Sequence, residues 1–276
     1  SNVTIDRFYK VTEPTSVIND LIKISSPQNN EKMIFIWPEG ILPNISKDQL
    51  KEYKFLFENQ FSENHILSIG INDIKHEGQI IKYFNSFTIY DHNLEILNSY
   101  NKVNLVPFGE FLPFEKTLRL IGLKTITNNY QSYSRGKKRN IIEVNKINFS
   151  LKLLPLICYE IIYTGNIFKS TDFDFIVNIS EDGWFGQSIG PHQHFAHSIY
   201  RAIESGKYVL RSANNGIAAI VNPLGVVEKQ VDLNQSGFVD LFETKKIEPT
   251  IFSKYGNKIF ASIILLYISL IFSFNR

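Results

Sequence analysis

Leu151-Lys152-Leu153-Leu154-Pro155-Leu156-Ile157-Cys158-Tyr159-Glu160-Ile161-Ile162 is the segment from which the rest of the chain is best read. An apolar run leads into the only cysteine of the sequence, and an acidic residue follows two places later. An apolar run that ends in polar punctuation reads as a buried strand, and reactive groups collect at the carboxyl ends of such strands. A lone cysteine, taken alone, is more often a small buried hydrophobe. Three other stretches repeat the pattern of polar residues directly after an apolar run: Trp37-Pro38-Glu39-Gly40, Lys102 to Glu110, and Asn178 to Gly186.

Outward from that segment, further apolar runs read as strands: Met33 to Trp37, His65 to Ile71, Phe84 to Tyr90, Ile141 to Val144, Ile147 to Cys158, Phe173 to Ile179, Tyr208 to Ser212, Ala218 to Val221 and Val226 to Val231. Asp91-His92-Asn93, Asn145-Lys146 and Asn222-Pro223-Leu224-Gly225 are the expected turns. Helical spacing is confined to three places. Val17, Leu21 and Ile22 mark one. Ser46 and Gln49 form a capping box ahead of Leu50, Tyr53, Leu56, Phe57 and Phe61. Pro191 opens a helix to about Ser205, with Phe195, Ile199, Ala202 and Ile203 on one face. Many strands with few helices between them exclude a helix bundle. A doubly wound parallel sheet needs a helix after nearly every strand, so two packed sheets with helices outside are expected.

The 29 Lys and Arg nearly balance the 27 Asp and Glu, which argues against a nucleic-acid partner. One cysteine excludes an intramolecular disulfide framework. The C-terminus stands apart: Ile259 to Phe274 carries no charge and is flanked by Lys254 and Lys258 on one side and Arg276 on the other. It is short of the roughly 20 residues of a spanning helix. Tyr255 and Gly256, with tilt or local thinning of the bilayer, make up the difference in a membrane reading.

Acyl transfer through a thiol needs a nucleophile, a base and a donor for the oxyanion. Cys158 is the candidate nucleophile. Glu39, Glu110, Glu160 and the histidines are candidate bases; Lys102 and the amides just after Cys158 are candidate donors. His192 and His194 are two apart and share no helix face. No acidic residue is spaced to complete a metal site with His194 and His197, so neither metal nor cofactor is expected.

These motifs in order, Trp37-Pro38-Glu39, then Lys102 with Leu105-Val106-Pro107-Phe108-Gly109-Glu110, then Ile157-Cys158-Tyr159-Glu160, resemble the nitrilase superfamily and, within it, the apolipoprotein N-acyltransferases. Asn178 to Gly186, Gly190-Pro191-His192-Gln193-His194, Arg201-Ala202-Ile203-Glu204 and Leu210 to Gly216 are similar to the blocks that follow, so the resemblance covers Met33 to Val231. It implies an α/β fold: a four-layer α-β-β-α sandwich followed by one C-terminal transmembrane helix. The catalytic domain is expected over residues 1–245, and a linker with the membrane helix over 246–276. The family's opening strand is expected to be missing before Ser1, which makes the chain look like a C-terminal fragment.

The resemblance also implies roles: Glu39 as general base, Lys102 facing the tetrahedral intermediate, Cys158 as nucleophile, Glu110 holding Lys102, and Tyr159 and Glu160 as the pair after the cysteine, with the Tyr159 amide on the oxyanion. Trp184, Phe185, Phe111, Leu112 and Phe114 are expected to form an apolar mouth for substrate, with Leu118, Leu120 and Ile121 extending the patch and Asn85 joining the substrate-binding set. The implied partners are a phospholipid acyl donor, a diacylglyceryl-modified apolipoprotein acceptor and the bacterial inner membrane, with the catalytic domain on its periplasmic side. A soluble amidase that uses water as acceptor shares the glutamate, lysine and cysteine, and a non-functional fragment of a split gene is the other alternative. Arg135, Lys137, Lys138 and Arg139 read as a solvated hairpin end or as a contact for anionic headgroups.

Overall fold

Strand residues that are buried on both faces leave near-continuous apolar runs, and the two faces of each run here serve two different cores. In the computed structural model, which describes residues 1–10, 13–28, 30–114, 117, 122, 132–146, 149–165, 167 and 172–274, eleven strands form two sheets. The first contains β1 (Met33–Ile36), β2 (Leu42–Ser46), β3 (His65–Glu77), β4 (Ile80–Asp91) and β5 (Ile96–Asn101). Its order is β1-β3-β4-β5, with β1 and β2 both parallel to β3 and the remaining pairs antiparallel. The second contains β6 (Ile142–Lys146), β7 (Phe149–Ile157), β8 (Phe175–Glu181), β9 (Tyr208–Asn214), β10 (Ala218–Val221) and β11 (Val227–Val231). These lie in sequence order across the sheet, with β7, β8 and β9 parallel at the centre.

Ile66, Phe87, Ile89 and Tyr100 of the first sheet pack against Leu153, Ile157, Phe175, Val177 and Ile179 of the second. The alternate residues of the same strands face outward. Leu67, Ile69 and Ile71 pack with Val17, Ile18 and Leu21 of helix α1 (Pro14–Ser25), and with Phe57 of the short helix α2 (Lys54–Phe57). Leu154, Leu156 and Ile176 pack with Phe195 and Ala202 of helix α3 (Gly190–Ser205). The layers are therefore α-β-β-α.

The differences from the sequence reading are local. The Ser46 and Gln49 capping box is made, with Gln49 Oε1 3.0 Å from the Ser46 amide, but it opens a 3-10 turn at Gln49–Tyr53 and then the four-residue α2, not one long helix. Strands β2 and β5 lie where none was expected, since neither carries a clean alternation of apolar residues. Asn145 and Lys146, expected as a turn, are paired with Ser150 and Phe149. Ile203, read on the same helix face as Phe195, Ile199 and Ala202, is exposed beside the Gly225 turn.

The C-terminal segment is tied back onto the sandwich before it leaves it. The Ile247 amide donates to Gly206 O at 3.2 Å and Thr250 Oγ1 to Glu204 O at 3.0 Å. Helix α4 (Ile251–Tyr255) follows, and then helix α5 (Lys258–Phe274), in which no residue is buried. The transmembrane helix expected here is not seen as such: among the described residues no helix is long and apolar enough to cross a membrane, α5 having 17 residues.

Candidate active site

Glu39 follows β1, where the Trp37 amide bonds Ser68 O and the Ile41 amide bonds Gly70 O. A Cβ on Gly70 would lie 2.3 Å from Pro38 O, so only glycine lets this turn cross β3 and drop Glu39 inward. Lys102 continues β5, its amide bonded to Asn85 O at 2.9 Å. Glu110 is held by its own loop, Oε2 accepting from the Val106 amide at 2.9 Å.

These three side chains meet in the interior. Lys102 Nζ lies 3.1 Å from Glu39 Oε1 and 3.0 Å from Glu110 Oε1. Asn85 Nδ2 donates to the same two oxygens at 2.6 and 2.9 Å. Asn85, placed with substrate by the sequence reading, thus spends its amide on bridging the carboxylates. The other Glu39 oxygen accepts from the Glu181 amide at 2.9 Å. Burial alone would push the Lys102 ammonium down, but Glu110 and Glu39 outweigh it and hold it well above the usual lysine range.

Cys158 is half-buried at the end of β7 and close enough to Lys102 and Glu39 for both charges to act on its thiol. Burial pushes the thiol up, Glu39 adds to the push, and Lys102 and a hydrogen bond to Ser180 oppose it; the group rests as a thiol. The residue is not the last of the strand, as the apolar run suggested. It starts a 3-10 turn, Cys158–Ile162, with φ +48. A left-handed conformation at a non-glycine residue costs on the order of 1–3 kcal/mol and persists only where the surroundings impose it.

Glu160 is part of what imposes it. Its carboxylate accepts from Tyr100 Oη at 2.8 and 3.0 Å, from the amides of Val103, Asn104 and Ile157 at 2.9, 3.0 and 3.0 Å, and from Arg139 at 3.2 Å. With that many donors it is a brace between the Lys102 loop and the cysteine turn, and not a free base. Arg139, read as solvated, is its mostly buried ion-pair partner. Arg135, Lys137 and Lys138 are exposed.

A second buried network lies behind the turn and was missed by the sequence reading. Asp182 accepts from Arg211 at 2.7 Å and from Ser180 at 2.7 Å, and lies 2.9 Å from His194 Nδ1. Arg211 also bonds Asn178, whose Nδ2 donates to Leu156 O at 2.9 Å. The available signal was Arg211 inside the apolar run of β9, since a charge buried in a strand needs a buried partner. Arg7 pairs with Glu181 in the same way, over a distance in sequence that no motif spans.

The residues expected to form the mouth differ in exposure and in ring partners. The ring partners of Trp184 are Phe8 and Tyr9, at 5.1 and 6.2 Å. Phe185 lies against His194, 5.4 Å between centroids, Leu112 is buried, and Phe114 is exposed. Leu118, Leu120 and Ile121 lie outside the described residues.

Two packed sheets with helices outside, and a cysteine, lysine and carboxylates at the strand ends, define the nitrilase-type sandwich. The chain belongs to the carbon-nitrogen hydrolase family, whose profile matches residues 31–240. It is 36% identical over 228 residues to the apolipoprotein N-acyltransferase of Rickettsia typhi, covering 81% of this chain and 44% of that protein. To the Rickettsia bellii protein of the same name it is 35% identical over 260 residues, covering 93% and 50%. The chain thus spans about half the length of these curated relatives. Among solved structures it is similar to Saccharomyces cerevisiae Nit3, a member of branch 10 of the nitrilase superfamily, with a TM-score of 0.54 at 15% identity, covering 94% of this chain and 91% of that one.

Proposed function

We propose that the chain carries the catalytic unit of an apolipoprotein N-acyltransferase, which moves an acyl chain from a phospholipid to the α-amine of a diacylglyceryl cysteine by way of a thioester on Cys158. The observation that carries this reading is the buried Glu39–Lys102–Glu110 cluster beside the thiol, in a chain whose relatives bear that name. Cys158 Sγ attacks the ester carbonyl and its proton passes to Glu39. The carbonyl electrons move onto oxygen, where Lys102 and the Tyr159 amide meet them. Glu110 and Asn85 keep Lys102 and Glu39 in place. Collapse of the intermediate breaks the ester bond, and the departing lysophospholipid alkoxide takes the proton back from Glu39. The amine then attacks the thioester, Glu39 receives its proton, and the thiol is regenerated as the amide forms. A thiol that rests protonated suits this order, because its proton leaves only as the base and the substrate come together.

Helix α5 supports a membrane site of action. Its apolar side chains are exposed along its whole length. At about 1.5 Å per residue it reaches about 25 Å, against a hydrocarbon core of about 30 Å, so we place it in the bilayer with help from tilt or thinning. In this reading residues 1–245 form the catalytic domain on the periplasmic face of the inner membrane, and 246–276 the linker and anchor. Truncation after Lys254 is expected to abolish flotation with liposomes; unchanged flotation counts against the anchor.

Intact-mass measurement of the full chain, incubated with phospholipid and no amine, tests the chemistry. An acyl adduct that maps to Cys158 and disappears on addition of a diacylglyceryl-cysteine peptide is expected. Acyl transfer to the peptide with no adduct on Cys158, even when trapped early, excludes the thioester route, and release of free fatty acid alone points to the amidase-like use of water.

A further inference from the structure

The backbone on both sides of Cys158 is gripped from outside the Lys102 cluster. Asn178 holds the Leu156 carbonyl, and Arg211 holds Asn178. His194, on α3, places Nε2 3.2 Å from the Cys158 carbonyl oxygen. A carbonyl only accepts, so this nitrogen donates. Its other nitrogen lies 2.9 Å from Asp182 Oδ1, whose second oxygen is taken by Arg211. One buried frame therefore fixes the carbonyls of both Leu156 and Cys158.

The Cys158–Tyr159 peptide is trans, so its C=O and N–H point in opposite directions. Fixing the carbonyl on His194, in the helical layer outside the second sheet, aims the Tyr159 N–H away from that layer. That is the side from which Glu39 and Lys102 approach out of the first sheet. A hydrogen bond to the carbonyl also polarises the peptide and strengthens its N–H as a donor. We propose that His194 is a positioning residue that aims the Tyr159 N–H at the oxyanion formed during acylation of Cys158. The inference rests on the reading of Cys158 as the acyl-accepting nucleophile.

Two reactions of the same thiol separate this role from a merely structural one. Acylation by a p-nitrophenyl ester develops an oxyanion; alkylation by iodoacetamide is a displacement at carbon and develops none. In the full chain, His194→Asn keeps a polar amide near the Nδ1 position, facing Asp182 and Arg211, but loses the donor to Cys158. His194→Gln places an N–H near Nε2 and keeps it. The Asn variant is expected to acylate about 10–100-fold more slowly, part of the loss seen when an oxyanion donor is removed, with its alkylation rate at the same pH close to the parent's. The Gln variant is expected to recover most of the acylation rate. Equal acylation by the Asn variant and the parent overturns the inference, as does a parallel fall in acylation and alkylation, which means the turn itself has collapsed. Equal loss in Asn and Gln overturns it too. A parent chain that is alkylated but never acylated by the ester fails earlier, at the nucleophile reading, and takes this inference with it.

Discussion

Two buried ionic clusters meet at Cys158, and they are built to opposite plans. Around Lys102, one cation faces two carboxylates, Glu39 and Glu110, whose remaining bonds go to an amide side chain and two backbone amides. Around Asp182, one carboxylate faces Arg211 and His194, and every group is also tied to backbone or to a strand side chain. The first cluster has a carboxylate in excess, next to a thiol that loses a proton in the proposed reaction. The second has its carboxylate fully countered, and its bonds end on the backbone of the cysteine turn. An uncompensated negative charge is useful where a proton is to be accepted and costly anywhere else in the interior. In the proposed reaction this difference gives the chemistry to the Lys102 cluster and support of the cysteine turn to the Asp182 cluster.

The comparison is tested most severely by Glu39→Gln. Loss of the base is expected to slow acyl transfer about 10²–10⁴-fold. Because the Glu39 charge raises the thiol, the same change is expected to lower the midpoint of the pH–rate profile for alkylation of Cys158, and Lys102→Met to raise it. If Glu39→Gln leaves acyl transfer intact, the division between the clusters fails.

Asp182→Asn probes the supporting cluster. It strips Arg211 of its buried counter-charge, and urea unfolding is expected to show a loss of about 3–5 kcal/mol. A loss near zero would mean that the network is not a support. The pH dependence sharpens the same point. Burial raises the Asp182 carboxyl, but Arg211 and His194 outweigh it and hold it below the ordinary range. A carboxyl depressed in the folded state contributes stability that is present above its unfolded value, near 3.9, and is lost as pH falls through the folded value. Melting temperatures are therefore expected to fall with acid from about pH 4, less steeply in Asp182→Asn. Parallel curves would remove Asp182 from the acid response.

The smallest expected effect belongs to neither cluster. Trp184 packs on Phe8 and Tyr9, and Trp184→Ala is expected to cost about 1 kcal/mol in ring contacts, with phospholipid use impaired more than transfer from a small ester. Equal impairment of both donors would make the ring part of the scaffold and not of the mouth.

Much of this was legible in the sequence. Apolar runs with polar residues at their ends located most of the strands; the same punctuation marked the stretches that hold Glu39, Lys102, Glu110 and Cys158, and the family resemblance singled these four out within them. Where alternation was weak, as in β2 and β5, strands passed unread, because pairing with β3 and β4 supplied what the local pattern lacked. The glycines around Trp184 marked a loop, but not that its ring would pack on Phe8 and Tyr9 of the N-terminal segment, nor that Leu112 would be buried. Side-chain direction in a loop follows from neighbours that no periodicity encodes.

Sequence by itself determined the strand runs, the capping box at Ser46, the turn at Asn222 and the placing of polar residues at strand ends, since period and turn chemistry are local properties of the chain. Only the tertiary structure decided how the buried charges are shared out. Glu160 reaches Tyr100 and Arg139, Arg7 reaches Glu181, and His194 reaches the Cys158 carbonyl, all between elements far apart in the chain. A buried charge must find a partner, but which one it finds depends on how two sheets and their outer helices pack, and that geometry exists only once the sandwich has closed.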